Sequence, residues 1–320
     1  MAKVDEQTYK ELLGKEAKYW DKVSHDMLNA GQFPDLQIPF RKQGAQALWD
    51  DSEVNFFVRG KYLQKLLNIC CYKSGIECLE LCCGIGALTL EAARRDANVT
   101  GIDIASKAIQ IGKNYQAKIQ KQPNLGKVDL VVSDLNTIKL PEKKYNAVFV
   151  WDGLHHIIKI DHLVSEVVKT LKDDGVFVVH DHVSIPKWRR KLAMAISGLL
   201  LLILPTEKKF STKIKEIWII ILRRKKSAQY EKVLTSPFED VSGENIIKSI
   251  RIKFKIVELH RYLSLSHYIA AKIRLDCKWR FGLIRFITVL DTFLTFFRIL
   301  KPEYFFLVAH KNTKGDEKCH

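Results

Sequence analysis

The sequence predicts an α/β fold with a mostly parallel sheet, and three features of the chain support that prediction. An apolar run at 76–82 leads into Gly84 and Gly86, and a helix-forming run follows directly. A second apolar strand, Asn98–Asp103, ends in an acid. Strand and helix patterns then continue to alternate, which is typical of βαβ units.

The remaining elements follow from hydrophobic periodicity and turn residues. We expect strands near 76–82, 98–103, 128–133, 146–151 and 175–181, then at 253–259 and 304–310. Helices are expected near 86–95, 105–121 and 160–172.

The glycine turn and the acid after it form a candidate nucleoside site. Gly84 and Gly86 permit positive φ and close approach of a ligand, and the next helix presents free N–H groups over the turn. Asp103, expected at an exposed strand tip, suits both hydroxyls of a ribose, with a helix N-cap as the alternative role. A dinucleotide fingerprint requires a third glycine where this chain has Thr89, so NAD binding is disfavoured.

The run ELCCGIG at 80–86 resembles the first motif of class I S-adenosylmethionine (SAM) dependent methyltransferases. The similarity is to small-molecule enzymes of the ubiquinone-biosynthesis type and to methyltransferases of surface-glycan clusters. It implies a Rossmann-like, seven-stranded sheet in which the last strand lies antiparallel between strands five and six. It also implies SAM as the cofactor. Cys82 stands where the family usually has glycine.

The resemblance places the cofactor at the carboxyl ends of the strands. Ile104 would lie on the adenine face, Asp134 would bind the adenine amino group or cap a loop, and Leu135 would pack near the ring. The full set of expected cofactor-binding residues is Glu80, Cys82, Gly84, Gly86, Asp103, Ile104, Asp134, Leu135 and Trp151.

Four histidines follow strands four and five, which are expected to be neighbours. A neutral imidazole at this rim could take a proton from an acceptor hydroxyl, and His156 is the first candidate base and His182 the second. A metal site built from these histidines and nearby acids is the alternative, but their spacing is not diagnostic. We therefore predict no metal.

Composition divides the chain into four regions. We expect a helical N-terminal cap at 1–74, a SAM-binding core at 75–183, an apolar and basic helical insert at 184–240, and a C-terminal completion of the sheet at 241–320 with an amphipathic helical insert. On that last helix the polar residues form one stripe, namely Arg285, Thr288, Asp291, Thr292, Thr295 and Arg298. The seven cysteines show no disulfide framework, and the N-terminus has no apolar signal region, so we predict a cytoplasmic location.

Positive charge is concentrated in the second half. The net charge is +16; residues 1–180 carry 24 basic and 23 acidic side chains, and residues 181–320 carry 28 and 13. An anionic partner is expected, such as a membrane surface, a phosphorylated substrate or nucleic acid. Apolar runs at 192–204 and 217–222 fall short of the roughly 20 residues that span a bilayer. Basic clusters at 189–191 and 223–226 fit a helix lying in the interface at the inner face of a membrane, with a substrate lid as the alternative.

The sequence therefore predicts a SAM-dependent methyltransferase that O-methylates a small-molecule, glycan or lipid-linked acceptor. An RNA methyltransferase is the first alternative, although the fourth motif reads WDGL at 151–154 instead of the N-P-P-Y or D-P-P-Y common in base N-methylation. A catalytically inactive, membrane-associated adaptor is the second, and it depends on Cys82. No motif indicates an obligate protein partner.

Overall fold

The computed structural model describes most of the chain. The described residues are 6–38, 52–120, 122–183, 185–206, 212, 214, 236–238, 243–270, 272–274 and 278–312. The apolar run at 217–222 and the basic cluster at 223–226 lie outside them.

A seven-stranded sheet forms the centre of the molecule. Its strands are β1 (Glu77–Leu81), β2 (Asn98–Asp103), β3 (Val128–Val132), β4 (Tyr145–Trp151), β5 (Leu171–His182), β6 (Phe254–Tyr262) and β7 (Tyr304–Lys311), in the order β3-β2-β1-β4-β5-β7-β6. The first five pair in parallel, and β7 runs antiparallel between β5 and β6. The predicted sheet and its reversed last strand are confirmed. β5 begins at Leu171, earlier than expected, because Leu171 already pairs with Tyr145.

Helices cover both faces of this sheet. They are α1 (Glu6–Asn29), α2 (Ser52–Cys70), α3 (Ala87–Ala93), α4 (Ser106–Ile119), α5 (Ile160–Thr170), α6 (Lys187–Ile203), α7 (Gly243–Lys253), α8 (Ser266–Ala270) and α9 (Arg280–Phe296). α1 packs on α4, α2 lies against β4 and β5, and α8 contacts α2, α6 and α9.

Two apolar layers hold the sheet between the helices. Phe149 and Val178 belong to one buried cluster, and Val148 and Phe177 belong to the other. Neighbouring residues of β4 and β5 thus face opposite layers, and both layers are buried. This is why the two strands read as continuous apolar runs and not as alternating ones.

Helices α6 and α9 place large apolar side chains at the surface. Phe286, Phe293 and Phe296 of α9 are exposed, as are Trp188 and Leu199 of α6. Within the described ranges, no helix combines the length and the apolarity needed to span a membrane.

Candidate cofactor and methyl-transfer site

A cavity opens at the carboxyl ends of β1, β2 and β4. Six of the nine expected cofactor residues line it, namely Cys82, Gly84, Asp103, Ile104, Asp134 and Leu135, and so does His156. The wall also includes Leu13, Glu16 and Trp20 of α1, which were not expected there. The parallel strands bring these side chains together because their carboxyl ends meet at one edge of the sheet.

Asp103 is held by backbone N–H groups on both carboxylate oxygens. Its Oδ2 accepts from Gly84 N and its Oδ1 accepts from Ala105 N, each at 2.8 Å. Burial raises the pKa of Asp103, and the side chain is only 9% exposed, so the expectation of an exposed strand tip is wrong. Each oxygen retains a second lone pair, which leaves the carboxylate able to accept two further hydroxyl donors.

The side chain of Cys82 fits the turn because residue 153 is glycine and leaves room for it. Cys82 adopts a left-handed φ of 57°, a conformation that favours glycine. A Cβ on Gly153 would lie 2.3 Å from Cys82 Cβ and 2.8 Å from its Sγ. The cysteine side chain therefore occupies space that a side chain at position 153 would otherwise fill.

The cavity is acidic although the protein is basic. Glu16, Asp103, Asp134 and Asp152 line it, and no lysine or arginine does so among the described residues. Arg59 of α2 donates to Asp152 from behind the wall, and His180 Nδ1 lies 2.8 Å from Asp152 Oδ1. Burial acts to raise the pKa of Asp152, but these two neighbours outweigh it and hold the pKa well below its usual range. Such a wall suits a cationic ligand.

The adenine-side acid Asp134 is tied to the N-terminal helix. Tyr9 of α1 donates to Asp134 Oδ2 at 2.7 Å, and the backbone and side-chain amides of Asn136 donate to Oδ1 at 2.9 and 3.0 Å. The loop-capping role and the ligand-facing position are thus present in one residue.

His156 lies in the wall beside α1. Its Nδ1 is 3.2 Å from Glu16 Oε1 and 3.1 Å from Ser236 Oγ, and its ring contacts the Trp20 ring edge-on at a centroid distance of 5.0 Å. Burial acts to raise the pKa of Glu16, but hydrogen bonds from His156, Ser236 and Trp20 outweigh it and lower the pKa.

The other histidines gather behind this wall. His155 Nδ1 lies 2.6 Å from Asp181 Oδ1, and the rings of His155 and His182 are 4.7 Å apart. Burial lowers the pKa of His182 to about 4, so its imidazole is neutral at physiological pH. Neither residue lines the cavity.

Glu80, Gly86 and Trp151 lie outside the cavity lining. Glu80 accepts a hydrogen bond from Thr89, and its burial raises its pKa to about 8. Gly86 supplies the left-handed residue before α3. Trp151 stacks on His180 with centroids 3.9 Å apart, under the Arg59 guanidinium. Thr89 stands where a dinucleotide fingerprint would have its third glycine. Its hydroxyl fixes the carboxylate of Glu80, the first residue of the 80–86 motif.

The geometry agrees with comparisons to known proteins. Residues 78–175 match a family model described as a methyltransferase domain. This region of the chain is therefore similar to known methyltransferase domains.

Several known methyltransferases are similar to this chain in sequence or in fold. A 2-phytyl-1,4-naphtoquinone methyltransferase of Nostoc is 30% identical over 112 residues, which cover 34% of this chain and 48% of the relative. A sterol 4-C-methyltransferase of Caenorhabditis elegans is 28% identical over 109 residues, or 33% and 31% of the two chains. The chain thus matches 31% to 48% of these relatives' length. The fold is similar to that of a geranyl diphosphate C-methyltransferase of Streptomyces coelicolor, with a TM-score of 0.53 at 12% identity over 94% and 98% of the two chains.

Two residues of the candidate site were missed in the sequence. Glu16 lies on the same helix face as Leu13 and Trp20, so an acid on an apolar stripe was the available signal. Arg59 carried no local signal, because its partner Asp152 is distant in sequence.

Proposed function

We propose that this protein transfers the methyl group of SAM to the hydroxyl of an apolar small molecule. The observation that carries the proposal is the acidic cavity, in which Asp103 and the candidate base His156 share one wall. The four carboxylates of the cavity favour a cationic cofactor, and they disfavour a phosphate-rich ligand such as RNA.

The residues present fit SAM. Asp103 would hold the ribose through its remaining lone pairs, and Ile104 and Leu135 would flank the adenine. Asp134 already accepts two donors on each oxygen, from Tyr9 and Thr137 on Oδ2 and from Asn136 on Oδ1, so its role is to shape this end of the cavity. When bound, SAM supplies an electrophilic methyl group. His156 would take the hydroxyl proton of the acceptor, and the closed wall formed by α1 would keep water away.

An apolar acceptor is supported by two observations. Leu13, Trp20, Ile157 and Phe238 contribute apolar surface to the cavity. The relatives named above act, by their names, on a sterol and on a phytyl-substituted quinone, both of which are apolar. The acceptor of this chain is proposed to be of that class.

Binding and transfer can be tested separately. Calorimetry should detect SAM binding, and labelled SAM incubated with a lipid extract should yield a labelled, extractable product. Asp129→Ala is a matched control for Asp103→Ala, because Asp129 is an exposed acid on the neighbouring β3. Absence of SAM binding would contradict the whole proposal. Binding without transfer to any acceptor would favour the inactive adaptor, and RNA binding with a steep salt dependence would favour the RNA enzyme.

We also propose that α6 and α9 bind the surface of an anionic membrane. Phe296 is 78% exposed, Ile203 is 81% exposed, and Phe286 and Phe293 lie on the outer face of α9. Arg190 and Lys191 are exposed on α6, which begins five residues after β5 ends at the cavity edge of the sheet. Aromatic side chains beside basic ones are typical of interfacial helices.

Vesicle flotation tests this second proposal. Changing Phe286, Phe293 and Phe296 to Ser should weaken binding to vesicles with anionic lipid at least tenfold, since each buried phenylalanine contributes roughly 1.5–3 kcal/mol. Ile252→Ser and Val257→Ser are matched controls, because these side chains are also exposed but lie on α7 and β6. Added salt should weaken the binding only in part. Equal binding of the triple variant and the controls would favour a substrate lid instead.

A further inference from the structure

The Nδ1 edge of His156 faces two hydrogen-bond acceptors. Nδ1 is 3.2 Å from Glu16 Oε1 and 3.1 Å from Ser236 Oγ. Ser236 Oγ donates its own proton to Glu16 Oε2 at 2.6 Å. The serine oxygen therefore presents a lone pair to the histidine.

This arrangement determines which ring nitrogen carries the proton. A nitrogen between a carboxylate oxygen and a hydroxyl lone pair must itself be the donor, so the neutral ring has its hydrogen on Nδ1. Nε2 then has the lone pair that a general base requires.

Glu16 is built into the wall as a hydrogen-bond centre. It is 2% exposed and also accepts from Trp20 Nε1 at 2.7 Å. Three donors on a buried carboxylate stabilise its ionised form and fix its orientation. Its position depends on α1, which is docked by the Tyr9–Asp134 bond and by the bond from Lys107 N to Asp21 Oδ1 at 2.7 Å.

We propose that Glu16 is a positioning residue for the base His156. On this view Glu16 selects the Nδ1–H tautomer and stabilises the imidazolium that forms when Nε2 takes the acceptor proton. The proton passes from the acceptor hydroxyl to Nε2 and then to solvent, and Glu16 stays ionised throughout. Docking of α1 would complete the base at the same time as it closes the cavity. This inference rests on the proposed function.

The neighbouring histidine–aspartate pair does not line the cavity, unlike His156 and Glu16. His155 and Asp181 form a similar contact, but Asp181 is fully buried and also accepts from Leu154 N at 2.7 Å. Because neither lines the cavity, this pair supports the loop that presents His156. The titratable groups near His156 among the described residues include Glu16, His155 at a centroid distance of 4.0 Å, and Asp103, which lines the same cavity.

The first test observes the histidine directly. In protein labelled with ¹⁵N-histidine, the His156 signal should show the Nδ1–H tautomer, and Glu16→Gln should increase the share of the Nε2–H tautomer, because an amide oxygen is a weaker acceptor than a carboxylate. Glu11→Gln is the matched control, because Glu11 is an exposed acid on the same helix. An Nε2–H tautomer in the wild type, or a tautomer ratio in Glu16→Gln equal to that of the wild type, would overturn the inference. This readout needs no acceptor, so it remains decisive even if no methyl transfer is found.

The second test is kinetic. Glu16→Gln should lower kcat about 10²-fold at saturating SAM, a loss larger than any accompanying increase in the Kd for SAM. In a His156→Ala background, Glu16→Gln should cause no further loss, because both residues act through one group. Multiplicative losses in the double variant, or a kcat loss that merely follows lost SAM affinity, would show that Glu16 only docks α1.

Discussion

The contact between Cys82 and Gly153 makes a sharp prediction about the first motif. Gly153→Ala adds a Cβ 2.3 Å from Cys82 Cβ, whereas such atoms do not approach within 3.0 Å. Both atoms are fixed to the backbone, so no rotamer change relieves the overlap. The φ of Gly153 is −141°, which is not a left-handed value, so the overlap with Cys82 is the cost that the double variant can relieve.

The magnitude follows from overpacking at one site. Forcing a methyl group into a filled core costs about 1–3 kcal/mol, and rigid partners place this case at the upper end. Removing the Cys82 side chain leaves Val150 Cγ1 at 3.5 Å as the nearest neighbour of the new Cβ, an ordinary contact. Glycine also suits the left-handed φ at position 82. The double variant Cys82→Gly/Gly153→Ala should therefore recover most of the lost stability.

Thermal melting and SAM calorimetry on the four proteins of this cycle test the reasoning. Gly153→Ala should lower Tm by about 3–5 °C and weaken SAM binding, and the double variant should restore both. Gly282→Ala is the control, because a Cβ there meets nothing within 4 Å and should be neutral or slightly stabilising. A Gly153→Ala protein as stable as wild type, or a double variant no better than the single one, would refute the contact.

Three further predictions concern the charged residues of the site. Asp103→Ala should raise the Kd for SAM about 10–100-fold, because hydrogen bonds to a charged acceptor contribute about 1.5–3 kcal/mol, and calorimetry against wild type measures it. His156→Ala should reduce turnover about 10²–10⁴-fold and His182→Ala far less; the reverse result in steady-state assays would exchange their roles. Burial raises the pKa of Glu80 from 4.5 to about 8, so the native state binds the extra proton between these values. Denaturant titrations should show wild type losing stability relative to Glu80→Gln by about 1.4 kcal/mol per pH unit as pH rises through this window, and parallel pH curves would contradict the buried acid.

The sheet and the loops that line the cavity could be predicted because their signals are local. An apolar strand, a turn that needs glycine and the acid at the next strand tip are each read within a few residues, and Gly84 and Asp103 lie where that pattern places them. The exposure of Asp103 was predicted wrongly, because the loop that buries it is formed by Gly84 and Ala105 folding over its carboxylate. A residue's burial depends on such tertiary contacts, and the strand pattern alone does not contain them.

Glu16 and Arg59 show what a local pattern cannot contain. Glu16 meets Ser236 across 220 residues of chain, and Arg59 meets Asp152 across 93. Each is a charged residue inside a helix that also carries apolar residues, and such residues are usually solvated. Only the packing of α1 and α2 against the sheet shows that these two charges are buried and paired.

Helix α9 shows how one amphipathic pattern fits two opposite orientations. The polar residues of α9 form one stripe on an otherwise apolar helix, and a stripe of this kind ordinarily faces water. Here Asp291, in the middle of the stripe, is buried and accepts from the backbone N–H groups of Ser264, Leu265 and Ser266 at 2.9–3.1 Å. Asp291 satisfies three buried donors, and each of these N–H groups would cost about 1–3 kcal/mol if it were left unpaired. The stripe is therefore turned inward at its centre, and Phe286, Phe293 and Phe296 are left on the outer face. That outward face supports the proposed membrane contact more strongly than the sequence pattern does, since a helix folded only for its own core would bury those rings.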